Sequence, residues 1–276
     1  MTPSRTFPRS LAALSLAAVT ALACAEAQSP KPYQPQEYQE GKDVVWVPTA
    51  QTLVDKMLDV AKVTPSDYVI DLGSGDGRTV ITAAKRGAKA LGIEYNPDMV
   101  DLSRRNAETA GVSGKATFVK ADIFRTDFSA ATVVTLFLLP EINLRLRPAI
   151  LAMKPGTRVV SNSFDMGDWA ADQTIDRVGQ CQTYCNAFFW VVPAKVEGTW
   201  QMEQGKLVLE QRFQVFKGTL SLGNVVAPVK GGLKGEEITF TAGGAEYKGR
   251  ASGNVMEGTS TSAGKQTTWR ASRAEK

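Results

Sequence analysis

A glycine-rich turn, which follows a short apolar run at residues 68–72, carries the clearest chemical signal in this sequence of 276 residues. Glycines allow the backbone to turn sharply and to approach a ligand closely, and three of them occur at Gly73, Gly75 and Gly77. A dinucleotide-binding turn has the spacing Gly-x-Gly-x-x-Gly, but Arg78 stands where its third glycine would be. The spacing therefore argues against a pyrophosphate-binding turn.

Four carboxylates accompany this turn. Asp71 and Asp76 lie within it, Glu94 ends the next predicted strand, and Asp122 follows the third. Carboxylates stabilise positive charge, and one at the end of the second strand can accept the hydroxyls of a ribose. The set suits S-adenosylmethionine, which has an ammonium group, a sulfonium group and no phosphate, with Asp122 accepting the adenine amino group. The residues that can lie against the adenine ring are Ile123 and Phe124. We predict a cofactor pocket here; a degenerate pocket that binds nothing is the alternative.

The residue inventory excludes several other chemistries. The sequence has no histidine, which removes Ser-His-Asp and Cys-His catalysis and His-ligated zinc. Cys24 lies in a predicted leader, so only Cys181 and Cys185 remain, too few for a four-thiolate zinc site, and we predict no metal site. Their spacing allows either a disulfide or two free thiols. The net charge of +4 comes without a dense basic stripe, which disfavours nucleic acid as a partner.

The elements that must position the carboxylates alternate between strand and helix over residues 44–195. Nearly continuous apolar strands separated by helices indicate a parallel sheet covered on both faces. Thr49 is a candidate cap for the first helix, and Asn96 followed by proline for the third. The predicted strands are residues 68–72, 88–94, 117–121, 131–139, 157–164, 174–178 and 187–192. The predicted helices are residues 49–62, 79–85, 97–110 and 141–153.

Residues 196–276 have a different sequence pattern, in which short runs of alternating apolar and polar residues are separated by glycine-containing turns. This pattern predicts an antiparallel barrel or sandwich of seven or eight strands. Gly198 and Trp200 near its start, with Trp269 and Arg270 near its end, weakly resemble the Gly-x-Trp and closing arginine of lipocalin-like barrels. A tryptophan that simply fills one end of a barrel is the alternative.

The N-terminus has the layout of a secretory signal peptide. Arg5 and Arg9 precede an apolar run at residues 11–22, and small residues follow it. The run is too short for an ordinary transmembrane helix. We predict a signal peptide at residues 1–27, a polar linker at residues 28–43, and an exported, periplasmic chain. An uncleaved inner-membrane anchor and lipidation at Cys24 are the alternatives.

Residues 47–169 resemble class I S-adenosylmethionine-dependent methyltransferases. More narrowly, they are similar to the small lysine methyltransferases that act on the ATP-synthase c-subunit and the adenine nucleotide translocase. The resemblance is carried by the segments 47–49, 71–78, 136–140 and 154–161, continuing to Phe164 and Trp169. It implies a Rossmann-like α/β fold with a seven-stranded sheet, here followed by the small all-β domain. The Asn-Pro-Pro-Tyr element of amide and adenine N-methyltransferases is absent, which disfavours those acceptors.

The resemblance also implies the roles of individual residues. Leu139 and Pro140 are expected to line the acceptor channel, and Pro48 and Thr49 to close over the cofactor. The full set of predicted cofactor-binding residues is Thr49, Asp71, Gly73, Ser74, Gly75, Glu94, Asp122 and Ile123.

We therefore expect a methyltransferase that acts on a protein lysine. A small-molecule methyltransferase and a non-catalytic exported protein that binds a nucleoside-like ligand are the alternatives. An amine acceptor must lose a proton before it reacts, and carboxylates are candidates to take it, although they can equally be surface residues. Trp169 is expected either in the channel wall or in the core. The candidate proton acceptors, none of which is assigned, are Glu141, Asp165 and Asp168.

Overall fold

The computed structural model describes residues 1–4, 33–177, 181–203 and 205–274. Most of the predicted signal peptide, including Cys24, and the first part of the predicted linker, residues 28–32, lie outside the described residues. A compact unit that contains both predicted domains begins at Tyr33. None of the helices in the described part of the chain is long and apolar enough to cross a membrane.

The first domain is an α/β sheet with helices. Its seven strands have the order β3-β2-β1-β4-β5-β7-β6, and the last two are antiparallel to their neighbours while the other five are parallel. Its elements are α1 (Gln51–Val60), β1 (Tyr68–Leu72), α2 (Arg78–Lys85), β2 (Lys89–Glu94), α3 (Pro97–Thr109), β3 (Ala116–Lys120), β4 (Val133–Leu136), α4 (Pro140–Leu151), β5 (Arg158–Asn162), β6 (Gln173–Ile175) and β7 (Ala187–Val191).

The strand order places a ligand site at the end of β1. This strand lies between β2 and β4, so the chain leaves it on one side and returns on the other. Such a reversal opens a crevice at the carboxyl ends of the strands. Val69, Ile70 and Leu72 are almost fully buried, as expected for a parallel strand covered on both faces. The predicted parallel arrangement is confirmed for β1 to β5, and the antiparallel β6 and β7 make the sheet mixed.

Two details of the predicted elements are wrong. Helix α1 begins after Ala50, which offers no side-chain cap, and the Thr49 hydroxyl instead accepts a hydrogen bond of 3.1 Å from Asn162. Strand β4 is shorter than residues 131–139, because the chain leaves the sheet before Pro140 begins helix α4. The residue before a proline is restricted to extended conformations, so Leu139 cannot join the helix. The cap at Asn96 is confirmed, since its side chain accepts from the Asp98 amide.

The second domain is a closed antiparallel barrel of eight strands, which decides between the barrel and the sandwich. Strands β15 and β8 pair, and β9 pairs with both β8 and β10, so the ladder is continuous. The strands are β8 (Gly198–Met202), β9 (Gly205–Arg212), β10 (Val215–Leu222), β11 (Val225–Lys234), β12 (Glu237–Ala242), β13 (Ala245–Ser252), β14 (Val255–Ser262) and β15 (Lys265–Arg273).

Aromatic side chains fill the barrel. Phe240 stacks on Tyr247 with ring centroids 4.4 Å apart, and Trp269 meets both rings edge-on. Trp200 is fully buried, and the guanidinium of Arg273 lies 4.3 Å from its ring centroid. The expectation that Arg270 closes this end is wrong, because Arg270 pairs with Glu257 and Arg273 takes the closing position.

The turn between β9 and β10 joins the two domains. Phe213 stacks on Trp169 with centroids 6.1 Å apart, and Gln214 donates a hydrogen bond of 2.7 Å to the Ala170 carbonyl. Trp169 has no exposed surface, so it belongs to the core and not to a channel wall. Beside this contact, Arg212 forms an ion pair of 2.8 Å with Asp168.

Candidate functional site

A cavity of about 380 Å³ lies at the carboxyl ends of β1, β2 and β4. The structure brings all eight predicted cofactor-binding residues together around it. Those residues are Thr49, Asp71, Gly73, Ser74, Gly75, Glu94, Asp122 and Ile123. Groups that are up to 74 positions apart in the chain therefore share one cavity, as the parallel sheet requires.

The turn after β1 depends on its glycines. Gly73, Gly75 and Gly77 have φ values of 79°, 53° and 83°, in the left-handed region that disfavours other residues. A Cβ at Gly75 would lie 2.7 Å from the indole nitrogen of Trp46. One at Gly77 would lie 2.8 Å from the Phe118 ring. The turn thus needs glycine both for its conformation and for its close contacts.

Asp71 is the most unusual acid of the cavity. It is the second-last residue of β1, is only 7% exposed, and accepts a hydrogen bond of 2.6 Å from the Thr135 hydroxyl. Burial raises the pKa of Asp71 to about 7, and the neighbouring carboxylates of Glu94 and Asp76 add to this increase. A cationic group in the cavity would stabilise the ionised carboxylate and so lower the pKa of Asp71 again. Asp71 is therefore prepared to bind positive charge.

Glu94 is fixed by the backbone. One of its carboxylate oxygens accepts from the Gly75 amide and the other from the Asn96 amide, each at 2.9 Å. A carboxylate oxygen has two lone pairs, so each oxygen keeps one for a ligand hydroxyl. This arrangement holds the carboxylate at the end of β2, where a ribose would be bound.

Asp76 is neutralised within the protein. Its carboxylate pairs with the Arg78 guanidinium at 2.6 Å, and Arg78 also donates to the Thr49 carbonyl at 2.7 Å. The sequence suggested that Asp76 adds negative charge to the pocket. Because Arg78 balances it, Asp71 and Glu94 are left as the carboxylates of the turn without a cationic partner among the described residues.

The residues before α1 form a strap over the cavity, which we define as residues 38–46. Paired backbone hydrogen bonds between Tyr38 and Trp46 and between Gln39 and Trp46, at 2.8 and 2.9 Å, shape it. From the strap, the Lys42 ammonium reaches the Asp122 carboxylate at 2.8 Å, and this contact lowers the pKa of Asp122. Sequence reasoning assigned residues 28–43 to a linker and missed this contribution.

The side of the cavity that was predicted to be the acceptor channel is apolar. Leu139 lines it as predicted, whereas Pro140 does not, because it begins α4. Three aromatic residues that were not predicted there, Phe137, Phe164 and Tyr184, also line it. Tyr184 belongs to the loop between β6 and β7, which is closed by a Cys181–Cys185 disulfide.

The three candidate proton acceptors do not line the cavity. Asp165 accepts from the Gly167 amide at 2.9 Å, and Asp168 pairs with Arg147 and Arg212. Glu141 is exposed in the first turn of α4. All three are therefore surface residues, which was the alternative left open by the sequence.

The cavity fits a nucleoside that carries positive charge. Asp71 and Glu94 line it and have no cationic partner among the described residues, so two carboxylates are available to a ligand within a mostly apolar cavity.

Comparisons with known proteins agree with this geometry. The ANTKMT methyltransferase domain model matches residues 71–173. A protein-lysine N-methyltransferase of Saccharolobus islandicus is 46% identical over 135 residues, which cover 48% of this chain and 84% of that protein. The chain belongs to the ANTKMT methyltransferase family. The matched segment ends before β8, so the barrel lies outside it.

Other relatives differ in how much of their own length is matched. The mouse lysine N-methyltransferase of the ATP-synthase c-subunit is 39% identical over 107 residues, which span 38% of this chain and 43% of that protein. A Salinibacter ruber structure, described as an RNA methyltransferase in complex with S-adenosyl-L-homocysteine, is 46% identical with a TM-score of 0.51; the match covers 54% of this chain and 96% of that one. The predicted methyltransferase class and the predicted cofactor, S-adenosylmethionine, are confirmed at this level.

Proposed function

We propose that this protein is an S-adenosylmethionine-dependent protein-lysine N-methyltransferase. The proposal rests on one observation: the carboxylates of buried Asp71 and of Glu94 line the same cavity, beside a turn whose conformation requires glycine. Lysine is proposed as the methyl acceptor because the archaeal protein and the mouse protein are both named as lysine N-methyltransferases.

The roles of the cofactor-binding residues follow from their positions. Asp71 would hold the ammonium end of the cofactor, and Glu94 its ribose. Asp122 and Ile123 would bind the adenine, with Lys42 of the strap sharing the Asp122 carboxylate. The cofactor, when bound, supplies a methyl group made electrophilic by a sulfonium centre. The protein contributes alignment and exclusion of water.

The acceptor side favours an uncharged amine. A free lysine side chain has a pKa of about 10.4, and an apolar environment lowers it by disfavouring the ammonium. Leu138, Leu139 and Ile142 provide such an environment. These aliphatic side chains are therefore the part of this chain that promotes loss of the proton from the amine.

We also propose that the protein works after export. The predicted signal peptide is one support, and the Cys181–Cys185 disulfide is the other, since disulfides persist mainly in oxidising compartments such as the periplasm. N-terminal sequencing of the protein isolated from its host tests this proposal. A mature start near Glu26 or Gln28 is expected, and an intact Met1 would contradict cleavage.

A nucleic-acid acceptor is the second candidate, because the Salinibacter ruber relative is described as an RNA methyltransferase. The two are separated by incubating the full chain with methyl-labelled cofactor and a lysate, followed by digestion with protease or ribonuclease. We expect protease-sensitive label that is recovered as methylated lysine, and no label with Asp71→Asn. Ribonuclease-sensitive label, or label in small molecules, would overturn the lysine assignment.

A further inference from the structure

Three aromatic rings form one wall of the cavity. Phe137 follows β4, Phe164 follows β5, and Tyr184 comes from the loop between β6 and β7. The Tyr184 ring centroid lies 5.3 Å from that of Phe137 and 6.0 Å from that of Phe164, and the two phenylalanine centroids are 6.3 Å apart. These three residues are the aromatic wall.

The position of Tyr184 is built into the fold. Its loop is closed by the Cys181–Cys185 disulfide, whose Cα atoms are 5.5 Å apart. Its φ is 55°, a conformation that a bulky residue adopts only where the surroundings impose it. The Ser163 amide donates a hydrogen bond of 2.9 Å to the Asn186 carbonyl, which attaches the loop to the end of β5.

The wall faces both the cavity and the outside. Tyr184 lines the cavity and yet is 39% exposed, so a side chain that enters from solvent passes its ring. A cation within about 6 Å of aromatic centroids is stabilised by the quadrupole of each ring, most strongly when it is partly desolvated. Ring spacings of 5.3–6.3 Å allow one cation to lie within that distance of all three centroids.

We infer that Tyr184, held by the Cys181–Cys185 disulfide, is a specificity-determining residue that completes an aromatic site for the ammonium or methylammonium head of the acceptor. The inference rests on the proposed lysine acceptor. It adds a residue outside the segment matched by the family model, which ends at residue 173, and it makes the disulfide a positioning element of the acceptor site.

The test uses the full chain loaded with S-adenosylhomocysteine and two probes of similar shape, tetramethylammonium and neutral tert-butanol. Binding is measured by saturation-transfer NMR with wild type, Tyr184→Phe, Tyr184→Leu, the double variant Cys181→Ser/Cys185→Ser, and Tyr68→Leu. Tyr68 begins β1, at the end of that strand away from the cavity, and does not line the cavity, so its variant controls for the loss of a tyrosine ring.

We expect tetramethylammonium to bind wild type, Tyr184→Phe and Tyr68→Leu alike, and to bind Tyr184→Leu and the cysteine double variant about three- to tenfold more weakly. The tert-butanol signal should be weak in all five proteins. Equal binding of tetramethylammonium to wild type and Tyr184→Leu, or equal binding of the two probes, would overturn the cation site. Wild-type binding by the cysteine double variant would overturn the positioning role of the disulfide.

Binding of S-adenosylhomocysteine itself also separates this inference from the proposed function. If it binds all five proteins equally while tetramethylammonium does not distinguish them, only the aromatic site fails. If it does not bind wild type, the proposed function fails, whatever the ammonium probe shows.

Discussion

The α/β domain, which contains the cavity, and the interior of the barrel differ in their content of buried polar groups. In the described structure, every buried polar or charged residue lies in the α/β domain, and the barrel interior has none. The three buried polar atoms without a partner are also in the α/β domain, and Ser74 is among them. The barrel is instead filled by rings such as Phe240 and Trp269.

We infer from this difference that the cavity serves ligand binding and that the barrel interior serves the stability of the fold. A buried carboxylate such as Asp71 costs free energy unless it is paired, so a fold keeps it only where a ligand offsets the cost. A barrel interior formed by buried aromatic and aliphatic side chains stabilises its own fold. We therefore expect substitutions in the cavity to reduce binding, and substitutions in the barrel interior to reduce stability.

The largest expected effect is on the stability of the barrel. Phe240→Ala removes a ring that is 3% exposed and touches three other aromatic rings. It should lower the free energy of unfolding by about 3–5 kcal/mol, as measured by denaturant titration. Val225→Ala, at an exposed site, is the control and should change little. A comparable loss of S-adenosylhomocysteine affinity in folded Phe240→Ala would break the separation of the two regions.

The second effect is on cofactor binding. Glu94→Gln removes the charge that the backbone amides of Gly75 and Asn96 hold in place. Hydrogen bonds to charged groups are worth about 1.5–3 kcal/mol, so the S-adenosylhomocysteine affinity should fall about 10- to 100-fold in a calorimetric titration. Glu141→Gln is the matched control outside the cavity. Equal affinities for the two variants would remove Glu94 from the site.

The third effect is a pH dependence of cofactor affinity. With its pKa at about 7, Asp71 is mostly neutral at pH 6 and mostly ionised at pH 8, and only the ionised form attracts a cation. S-adenosylhomocysteine should therefore bind about tenfold more tightly at pH 8 than at pH 6.

Asp122→Asn should keep this pH dependence, because the contact with Lys42 lowers the pKa of Asp122 and leaves it ionised throughout.

In the ligand-free protein, the contribution of Asp71 to the free energy of unfolding depends on pH in the opposite direction. The fold favours neutral Asp71, so this stabilising contribution is present below about pH 4 and is lost as the pH rises to about 7. A flat affinity profile from pH 6 to pH 8 would contradict the account of Asp71.

The smallest effect is expected at the contact between the regions. Asp168 pairs with Arg147 and Arg212 at an exposed position, where salt screens an ion pair. Asp168→Asn should lower the thermal unfolding midpoint slightly at low salt and not at high salt. A large loss of activity in this variant would instead restore Asp168 as a proton acceptor.

Much of the cavity was predictable from local sequence. The glycine turn and the carboxylates at successive strand ends are local features, and a parallel sheet necessarily brings strand ends together. The strap could not be found in this way, because residues 38–46 have no periodic pattern and their position depends on contacts such as Lys42 with Asp122. Tyr184 was missed for the same reason.

Some of the wrong predictions could have been avoided from the sequence itself. Side chains alternate between the two faces of a strand, so Trp269 and Arg270 cannot both point into the barrel. Arg273 shares the face of Trp269, and strand alternation alone identifies it as the arginine above Trp200. Thr49, in contrast, is a good capping residue by type, and only the fold shows that its hydroxyl bonds to Asn162.

The central claim is that Asp71 holds the ammonium group of an adenosyl cofactor, and calorimetric titration of wild type and Asp71→Asn with S-adenosylhomocysteine, which carries the same ammonium group, tests it most directly. We predict a saturable one-to-one heat for wild type and affinity about 100-fold weaker for Asp71→Asn. The unfolding midpoint of the variant should be unchanged or higher, because asparagine keeps the bond to Thr135 and relieves the burial of a charge. Equal affinity in the two proteins, or no heat with wild type, would contradict the account.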